Sequence, residues 1–109
     1  MSSAKIISIE DASFTSEVEQ SRTPVLVDFG ATWCGPCKAL GATLDSMVEG
    51  YKGKVKFCYI DVQKAPMTAQ KFGVLSVPTL IVFKNGAPAG SLNGAQPKKR
   101  IAELLSTVL

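Results

Sequence analysis

The sequence predicts an α/β domain, in which a mixed β-sheet of about five strands is flanked by about four helices. Segments of strand length alternate with segments whose apolar residues recur at helical spacing. One run, residues 25–29, is apolar on both faces except at Asp28, which is typical of a central strand covered on each side. Near the end of the chain, Asn85-Gly86 separates two strand-like segments and is a strong hairpin signal. A strand–helix–strand unit followed by a hairpin gives parallel and antiparallel pairs in one sheet.

Two helices and a first strand surround the central strand in the first half of the chain. Residues 5–9 are predicted to form a short strand. Residues 13–20 follow as a short helix, with Asp11 or Ser13 as its N-cap. Residues 34–51 form the longest helix. Its buried stripe consists of apolar residues at helical spacing, namely Leu40, Leu44, Met47, Val48 and Tyr51.

The second half of the chain supplies the other three strands and two helices. Residues 55–60 are rich in β-branched and aromatic side chains, and residues 79–83 form a second apolar run. Beyond the hairpin turn, residues 89–92 return antiparallel. The helices cover residues 66–72 and 97–108, and each begins with a proline, which the first helical turn accepts.

Composition limits the function classes. The 109 residues are enough for one domain, residues 1–109, and 46% of them are apolar. The net charge is only +3, and the sequence lacks the concentrated basic stripe of a nucleic-acid binder. The basic run at residues 98–100 is interpreted as a solvated helix surface. The start has no signal-peptide pattern, and no apolar run approaches the ~20 residues that span a bilayer. The protein is therefore expected to be cytoplasmic and to bind neither nucleic acid nor a membrane.

One motif carries chemistry, the Trp-Cys-Gly-Pro-Cys sequence at residues 33–37. It follows the central strand and opens the longest helix, at the sheet edge where α/β proteins place their sites. Cys34 and Cys37 are three residues apart and share a helix face, so their sulfurs can pair or separate with little backbone movement. Gly35 leaves room for a partner, and Pro36 stiffens the turn without removing a needed amide.

The two cysteines are expected to have different roles. Cys34 falls at the helix N-cap, where unpaired amides and the helix dipole favour a thiolate. It is expected to be exposed and to attack a substrate disulfide, forming a mixed disulfide. Cys37, one turn inside the helix and less exposed, then attacks the Cys34 sulfur and releases the reduced substrate.

A proton acceptor and donor is needed beside Cys37, and Asp28 is the candidate. It interrupts the apolar run at residues 25–29, close beneath the helix start. Burial there raises the pKa of the carboxyl towards neutral pH, which suits a general acid and base. The alternative interpretation is an aspartate at a strand end that reaches solvent.

The numbers of cysteine and histidine residues exclude most other uses of paired cysteines. The chain has three cysteines and no histidine, so it lacks the ligands for a closed zinc site or a four-cysteine cluster, and no metal site is expected. The missing histidine also excludes c-type haem attachment and a Cys–His hydrolase. A purely structural disulfide remains as an alternative, although so tight a loop constrains the unfolded chain little. The third cysteine, Cys58, lies inside a predicted strand and is interpreted as a packing residue.

These residues resemble the thioredoxin family, over nearly the whole chain. The resemblance includes the segments at residues 25–29, 31–38, 77–79 and 83–86, together with Gly94. A C-x-x-C pair beside a βαβ unit is itself a known signature of thioredoxin-like proteins. The resemblance implies the thioredoxin fold, with Pro78 as a cis proline facing the cysteines. It also implies a substrate-docking surface made of Trp33, Gly35, Pro36, Val77, Pro78 and Gly94.

Partners and cofactors follow from the same resemblance. The family reduces disulfide-containing proteins and is recharged by a thioredoxin reductase, a flavoprotein that uses NADPH. This chain has no dinucleotide-binding glycine pattern, so NADPH and FAD are expected only in that partner, and no cofactor is expected to be bound here. The Gly-Pro pair at residues 35–36 resembles the reducing members of the family. The chain is expected to be a monomer.

Four residues depart from the common family pattern, namely Tyr59, Ala42, Leu75 and Asn93. Tyr59 stands where many members have a lysine near the buried aspartate, and Leu75 replaces a frequent arginine. Two alternatives to a general reductant stay open, and the departures at Leu75 and Asn93 motivate the first of them. The chain is then either a dedicated reductant for one pathway enzyme or a binding subunit in which the cysteines are incidental.

Overall fold

The computed structural model describes residues 5–109. The first four residues, which belong to the start of the chain where no signal peptide is expected, lie outside the described range. In this described part of the chain, five strands form one mixed sheet in the order β1-β3-β2-β4-β5. The strands are β1 Ile7–Ile9, β2 Val25–Gly30, β3 Lys56–Asp61, β4 Thr79–Lys84 and β5 Ala87–Asn93. Strand β3 pairs parallel with β1 and β2, whereas β4 pairs antiparallel with β2 and β5. The predicted mixed α/β sheet is confirmed.

Within residues 5–109, three α-helices and three irregular helical segments accompany the sheet. The α-helices are α1 Gly35–Met47, α2 Pro66–Lys71 and α3 Lys98–Ser106. The 3₁₀ turn Val48–Tyr51 continues α1, so the predicted helix 34–51 is present but ends as a tighter turn. Pro97 is the N-cap of α3, with an extended ψ of 157°, rather than its first residue. The hairpin turn is confirmed, because Asn85 and Gly86 both have positive φ, as a two-residue type I′ turn requires.

The first predicted helix, residues 13–20, is not a regular α-helix. It consists of the 3₁₀ turn Asp11–Ser13 followed by the π-helical segment Thr15–Glu19. Local side chains account for this, since the Ser13 hydroxyl accepts a hydrogen bond from the Glu10 amide at 3.0 Å and competes with helical bonding. Glu10, and not Asp11 or Ser13, is the N-cap of the first turn.

Strand β2 is buried along its whole length and separates two apolar clusters. On one face, Leu26 packs with the α1 residues Leu40 and Leu44 and with α3. On the other face, Val27 and Phe29 lie in a cluster with residues of the first helical segment and with Ala65 and Phe72, which flank α2. The prediction of a central strand covered on both sides is confirmed. Since α1 begins directly above the carboxyl end of β2, the fold holds the motif of residues 33–37 at that edge.

Asp11 acts at a distance, as a cap for α2. Its carboxylate accepts hydrogen bonds from the Thr68 amide at 2.8 Å, the Thr68 hydroxyl at 2.6 Å and the Met67 amide at 3.2 Å. These bonds lower the pKa of Asp11, the Thr68 hydroxyl having the largest effect. The carboxylate thus satisfies amides in the first turn of a helix whose own N-cap, Ala65, has no side-chain acceptor.

We expect the Asp11→Asn variant to lower the melting temperature by about 5 °C, the size of a lost helix cap in a domain of this length. The difference from the native protein should vanish at acid pH, because a carboxyl with a lowered pKa stabilises the fold only while it is ionised. Calorimetry at neutral and acid pH measures both effects. Asp45→Asn, on the exposed side of α1, is the matched control and should leave the melting temperature unchanged.

Candidate active site

The two cysteines of the motif are joined at the start of α1. Cys34 is the N-cap of the helix, with φ −95° and ψ 113°, and Cys37 lies in its first turn. They form a disulfide across a Cα–Cα distance of 5.2 Å. The Cys37 amide donates a hydrogen bond to the Cys34 sulfur at 3.2 Å. That amide is one of the otherwise unpaired donors at a helix start, and the same bond favours a thiolate at Cys34 when the pair is reduced.

The prediction that Cys34 is more exposed than Cys37 is wrong for the disulfide form. Cys34 is 5% exposed and Cys37 is 6% exposed, so both are buried. The two sulfurs form a small apolar cluster with Ala31, on which the half-buried Val62 and Val77 pack. In this state the asymmetry of the pair therefore lies in helix position and hydrogen bonding rather than in exposure.

Asp28 lies inside the protein on the same face of β2 as Leu26 and Gly30, because side chains alternate along a strand. That face is covered by α1, and Cys37 lies in the first turn of that helix. Asp28 is 3% exposed, and among residues 5–109 its Oδ1 atom has no hydrogen-bond partner. Desolvation by burial raises the pKa of this carboxyl to about 7. The alternative of a solvated strand-end aspartate is therefore not what the structure shows.

A loop before β4 completes the edge around the disulfide. The Val77–Pro78 peptide bond is cis, as the family resemblance implied. Val77 packs against the cysteine cluster, and the Pro78 carbonyl accepts a hydrogen bond from the Gly94 amide at 2.8 Å. Gly94 has φ +82°, which an L side chain rarely adopts. The fold thus brings the predicted docking residues together from three separate segments.

Sequence reasoning missed a side-chain link that supports this loop. The Thr79 hydroxyl donates to the Ser76 carbonyl at 2.7 Å and lies 3.3 Å from the Asn93 amide oxygen. Asn93 is the cross-strand partner of Thr79 on β5. The departure from the family pattern at Asn93 was visible in the sequence, but its partner was not, since the two residues are paired only in the sheet.

The surface beside the disulfide is apolar and open. Trp33 is 67% exposed and Leu75 is 97% exposed. A cavity lies between them, lined by Trp33, Val62, Val74, Leu75, Ser76 and Val77. A side chain at Gly35 would meet nothing within 4 Å, so the face in front of the motif is clear. An extended segment of another protein has room to lie on this surface beside the motif.

Cys58 takes no part in this site. It is buried on the opposite face of the sheet from Asp28, in the cluster with Val27 and Phe29. Burial raises the pKa of its thiol to about 12, so it stays protonated at neutral pH. The interpretation of Cys58 as a packing residue agrees with this position.

Two further classes of site are absent from the described part of the chain. Residues 5–109 contain no group of three or more His, Cys, Asp or Glu side chains placed to hold a metal ion. Within the same residues, no helix has both the length and the apolar character needed to cross a membrane.

The two cysteines form a disulfide at the start of a helix, and an open apolar surface lies beside them. This arrangement suits one reaction, the exchange of a dithiol for a disulfide. The redox group is the Cys34–Cys37 pair itself. The fold and the site together define a thiol–disulfide oxidoreductase that acts on proteins.

Comparison with known proteins identifies the family. The sequence model of the thioredoxin family matches residues 5–107. Thioredoxins of Staphylococcus aureus, for example from strains Mu50, MW2 and COL, are 47% identical over 100 residues, which cover 92% of this chain and 94% of the relative. The chain belongs to the thioredoxin family.

Proposed function

We propose that the chain is a general cytoplasmic reductant of protein disulfides, in which Cys34 is the nucleophile, Cys37 the resolving thiol and Asp28 the proton acceptor and donor. The observation that carries this proposal is the position of a buried carboxyl on the face of β2 that α1 covers, with the cysteine pair in the first turn of that helix. Residues 1–109 act as one domain and as a monomer.

The first step uses the reduced protein. The Cys34 thiolate attacks one sulfur of a substrate disulfide, so a Cys34–substrate bond forms and the substrate S–S bond breaks. The other substrate sulfur leaves as a thiolate and takes up a proton. The Cys37 amide, which donates to the Cys34 sulfur in the structure, favours the ionised nucleophile.

The second step releases the substrate. Asp28 accepts the proton of the Cys37 thiol, and the resulting thiolate attacks the Cys34 sulfur. The Cys34–Cys37 disulfide forms, the mixed disulfide breaks, and the second substrate sulfur leaves as a thiol. Asp28 returns the Cys37 proton to this leaving sulfur. The substrate has gained two electrons and two protons: the electrons and one proton come from this chain, and the other proton comes from solvent, because Cys34 reacts as a thiolate. A carboxyl with a pKa of about 7 suits this role, because near neutral pH both of its forms are populated.

Substrate docking is assigned to the surface around the disulfide. Its residues are Trp33, Gly35, Pro36, Val77, Pro78 and Gly94. Support comes from the exposed Trp33 ring, the clear space at Gly35 and the packing of Val77 against the sulfurs. The backbone of Val77 pairs with an extended substrate segment, as in strand addition to a sheet edge.

Regeneration requires two electrons per cycle. A thioredoxin reductase, which carries FAD and uses NADPH, supplies them through its own thiols. The relatives from Staphylococcus aureus are named thioredoxins, which supports a partner of this kind. The reductase binds the same open surface, because the Cys34–Cys37 disulfide is then the substrate.

The reduction potential of the Cys34–Cys37 pair tests the direction of the reaction. Because the motif holds Gly35-Pro36, we expect a value near or below the reducing end of the cytosolic glutathione range, roughly −220 to −320 mV. Equilibration against dithiothreitol and glutathione buffers, with the thiols counted by alkylation, measures it. A value far above that range means that the reduced form is favoured, and the chain is then an oxidant or isomerase.

A further inference from the structure

Tyr59 is the direct neighbour of Asp28 across the parallel pair of β2 and β3. Partners in register on adjacent strands present their side chains on the same face of the sheet. The two side chains therefore lie together on the face that α1 covers. Tyr59 is half-buried, whereas Asp28 is fully buried, so the tyrosine is the more solvent-facing member of the pair.

Gly30 makes room for the Tyr59 ring. A Cβ atom placed on Gly30 would lie 2.9 Å from Cε1 and 3.3 Å from the hydroxyl oxygen of Tyr59. The same point lies 3.5 Å from Cβ of Cys37. Any larger residue at Gly30 would displace the ring. The ring of Tyr59 and the side chain of Cys37 thus both lie next to Gly30, at the end of β2.

A surface cavity reaches this place from solvent. Its lining is Ala31, Thr32, Cys37, Lys38 and Tyr59, and Asp28 is not among these residues. The Tyr59 ring is both a wall of the cavity and the cross-strand neighbour of the buried carboxyl. The cavity is therefore in contact with Cys37 and Tyr59 but not with Asp28.

We propose that the aromatic ring of Tyr59 is a positioning element of the exchange reaction, which shields Asp28 from the cavity water and so sets the pH at which that carboxyl exchanges a proton with Cys37. This inference rests on the proposed role of Asp28. It assigns the effect to the ring, which displaces water, and not to the phenol hydroxyl.

The surrounding charges are consistent with a shielding role. Tyr59 and Asp61 face this region from β3, Cys37 and Lys38 face it from α1, and the partner of Asp28 on β4 is the apolar Leu80. Desolvation, with smaller contributions from Asp61 and Asp28, raises the pKa of Tyr59, so its phenol is uncharged at neutral pH. Desolvation is also the cause of the raised pKa of Asp28.

Two substitutions separate the ring from the hydroxyl. Tyr59→Phe keeps the ring and removes the hydroxyl, whereas Tyr59→Thr keeps a hydroxyl and removes the ring. Both residues favour strands, and Tyr59→Val is a second ring deletion with the same preference. The titration of the Asp28 carboxyl is followed by carbon NMR in the oxidised protein, where neither Cys34 nor Cys37 titrates.

We expect the ring deletions to lower the midpoint of the Asp28 titration by about one pH unit or more, because hydration restores the ionised form. Tyr59→Phe should leave the midpoint unchanged. In the reduced protein, the acid limb of the pH–rate profile for substrate reduction should move to lower pH by the same amount in the ring deletions only. Tyr51→Thr removes a ring that packs on Phe57 and does not line the cavity, and it is the matched control, with no shift.

Two results overturn the inference. An unchanged Asp28 midpoint in the ring deletions shows that Tyr59 does not shield the carboxyl. A shift in Tyr59→Phe as large as in Tyr59→Thr shows that the hydroxyl, and not the ring, is responsible. Neither result bears on whether Asp28 moves the proton, because that role fails only if Asp28→Asn exchanges disulfides at the native rate.

Discussion

The Cys34→Ser variant is expected to lose disulfide reduction by roughly a thousandfold or more, as covalent mechanisms do when the nucleophile is removed. The loss is large because neither remaining thiol has the position of Cys34 at the N-cap of α1. Cys37 lies inside the first helical turn, and Cys58 is buried on the opposite face of the sheet. Reduction of a disulfide-bonded test protein by dithiothreitol, with catalytic amounts of the chain, measures the effect. Cys58→Ser is the matched control and should retain native activity.

The Cys37→Ser variant should behave differently from Cys34→Ser. It retains the nucleophile and lacks the resolving thiol, so it should accumulate mixed disulfides between Cys34 and its substrates. Non-reducing electrophoresis of the captured species, followed by mass spectrometry, counts the partners. Many partners agree with a general reductant, and a single partner indicates the dedicated reductant. A Cys34→Ser chain that still supports a partner's activity would instead identify a binding subunit.

The Asp28→Asn variant is expected to be more stable than the native protein at alkaline pH. Folding buries this carboxyl and raises its pKa from 3.8 to about 7. Between these pH values the unfolded chain has lost the proton and the folded protein still holds it, so the free energy of unfolding falls as pH rises. Above pH 7 the loss is complete and amounts to something on the order of 4 kcal/mol.

Asparagine mimics the protonated carboxyl and removes this pH dependence. The stability difference between variant and native protein should be close to zero near pH 4 and grow to its full size by pH 8. Urea unfolding of both oxidised proteins, followed by the fluorescence of Trp33, measures the difference across this range. The exposed Asp45→Asn substitution should show no such growth. A constant difference from pH 4 to 8 would contradict a raised pKa at Asp28.

The same variant should be slower as well as more stable. Loss of a general acid and base costs about a hundredfold or more in rate when proton transfer limits the step. The stopped-flow rate of mixed-disulfide resolution is the direct measurement. A variant that is more stable but slower shows that the buried carboxyl lowers the stability of the fold and raises the rate of the reaction. A stabilised protein with a native rate would assign the proton transfer to another group.

Local patterns in the sequence account for much of the fold and for the centre of the site. The Asn85-Gly86 turn, the central strand and the helix that opens at the cysteine motif were predicted correctly, because each depends on neighbours in the chain. The burial of Asp28 was also predictable, since the carboxyl interrupts an apolar run. The cis bond before Pro78 came from the family resemblance, because the local sequence indicates only a loop.

The sequence by itself determined the element order, the redox pair and the candidate proton carrier, because strand runs, helix periods and turn residues act over a few positions. Only the tertiary structure decided which distant groups meet. Asp11 caps α2 instead of its own segment, the Cys34 sulfur is buried in the disulfide form, and the Tyr59 ring lies over Gly30 beside Cys37. These contacts join residues on different strands and helices, and no local preference specifies them, because they depend on the register and packing of the whole sheet.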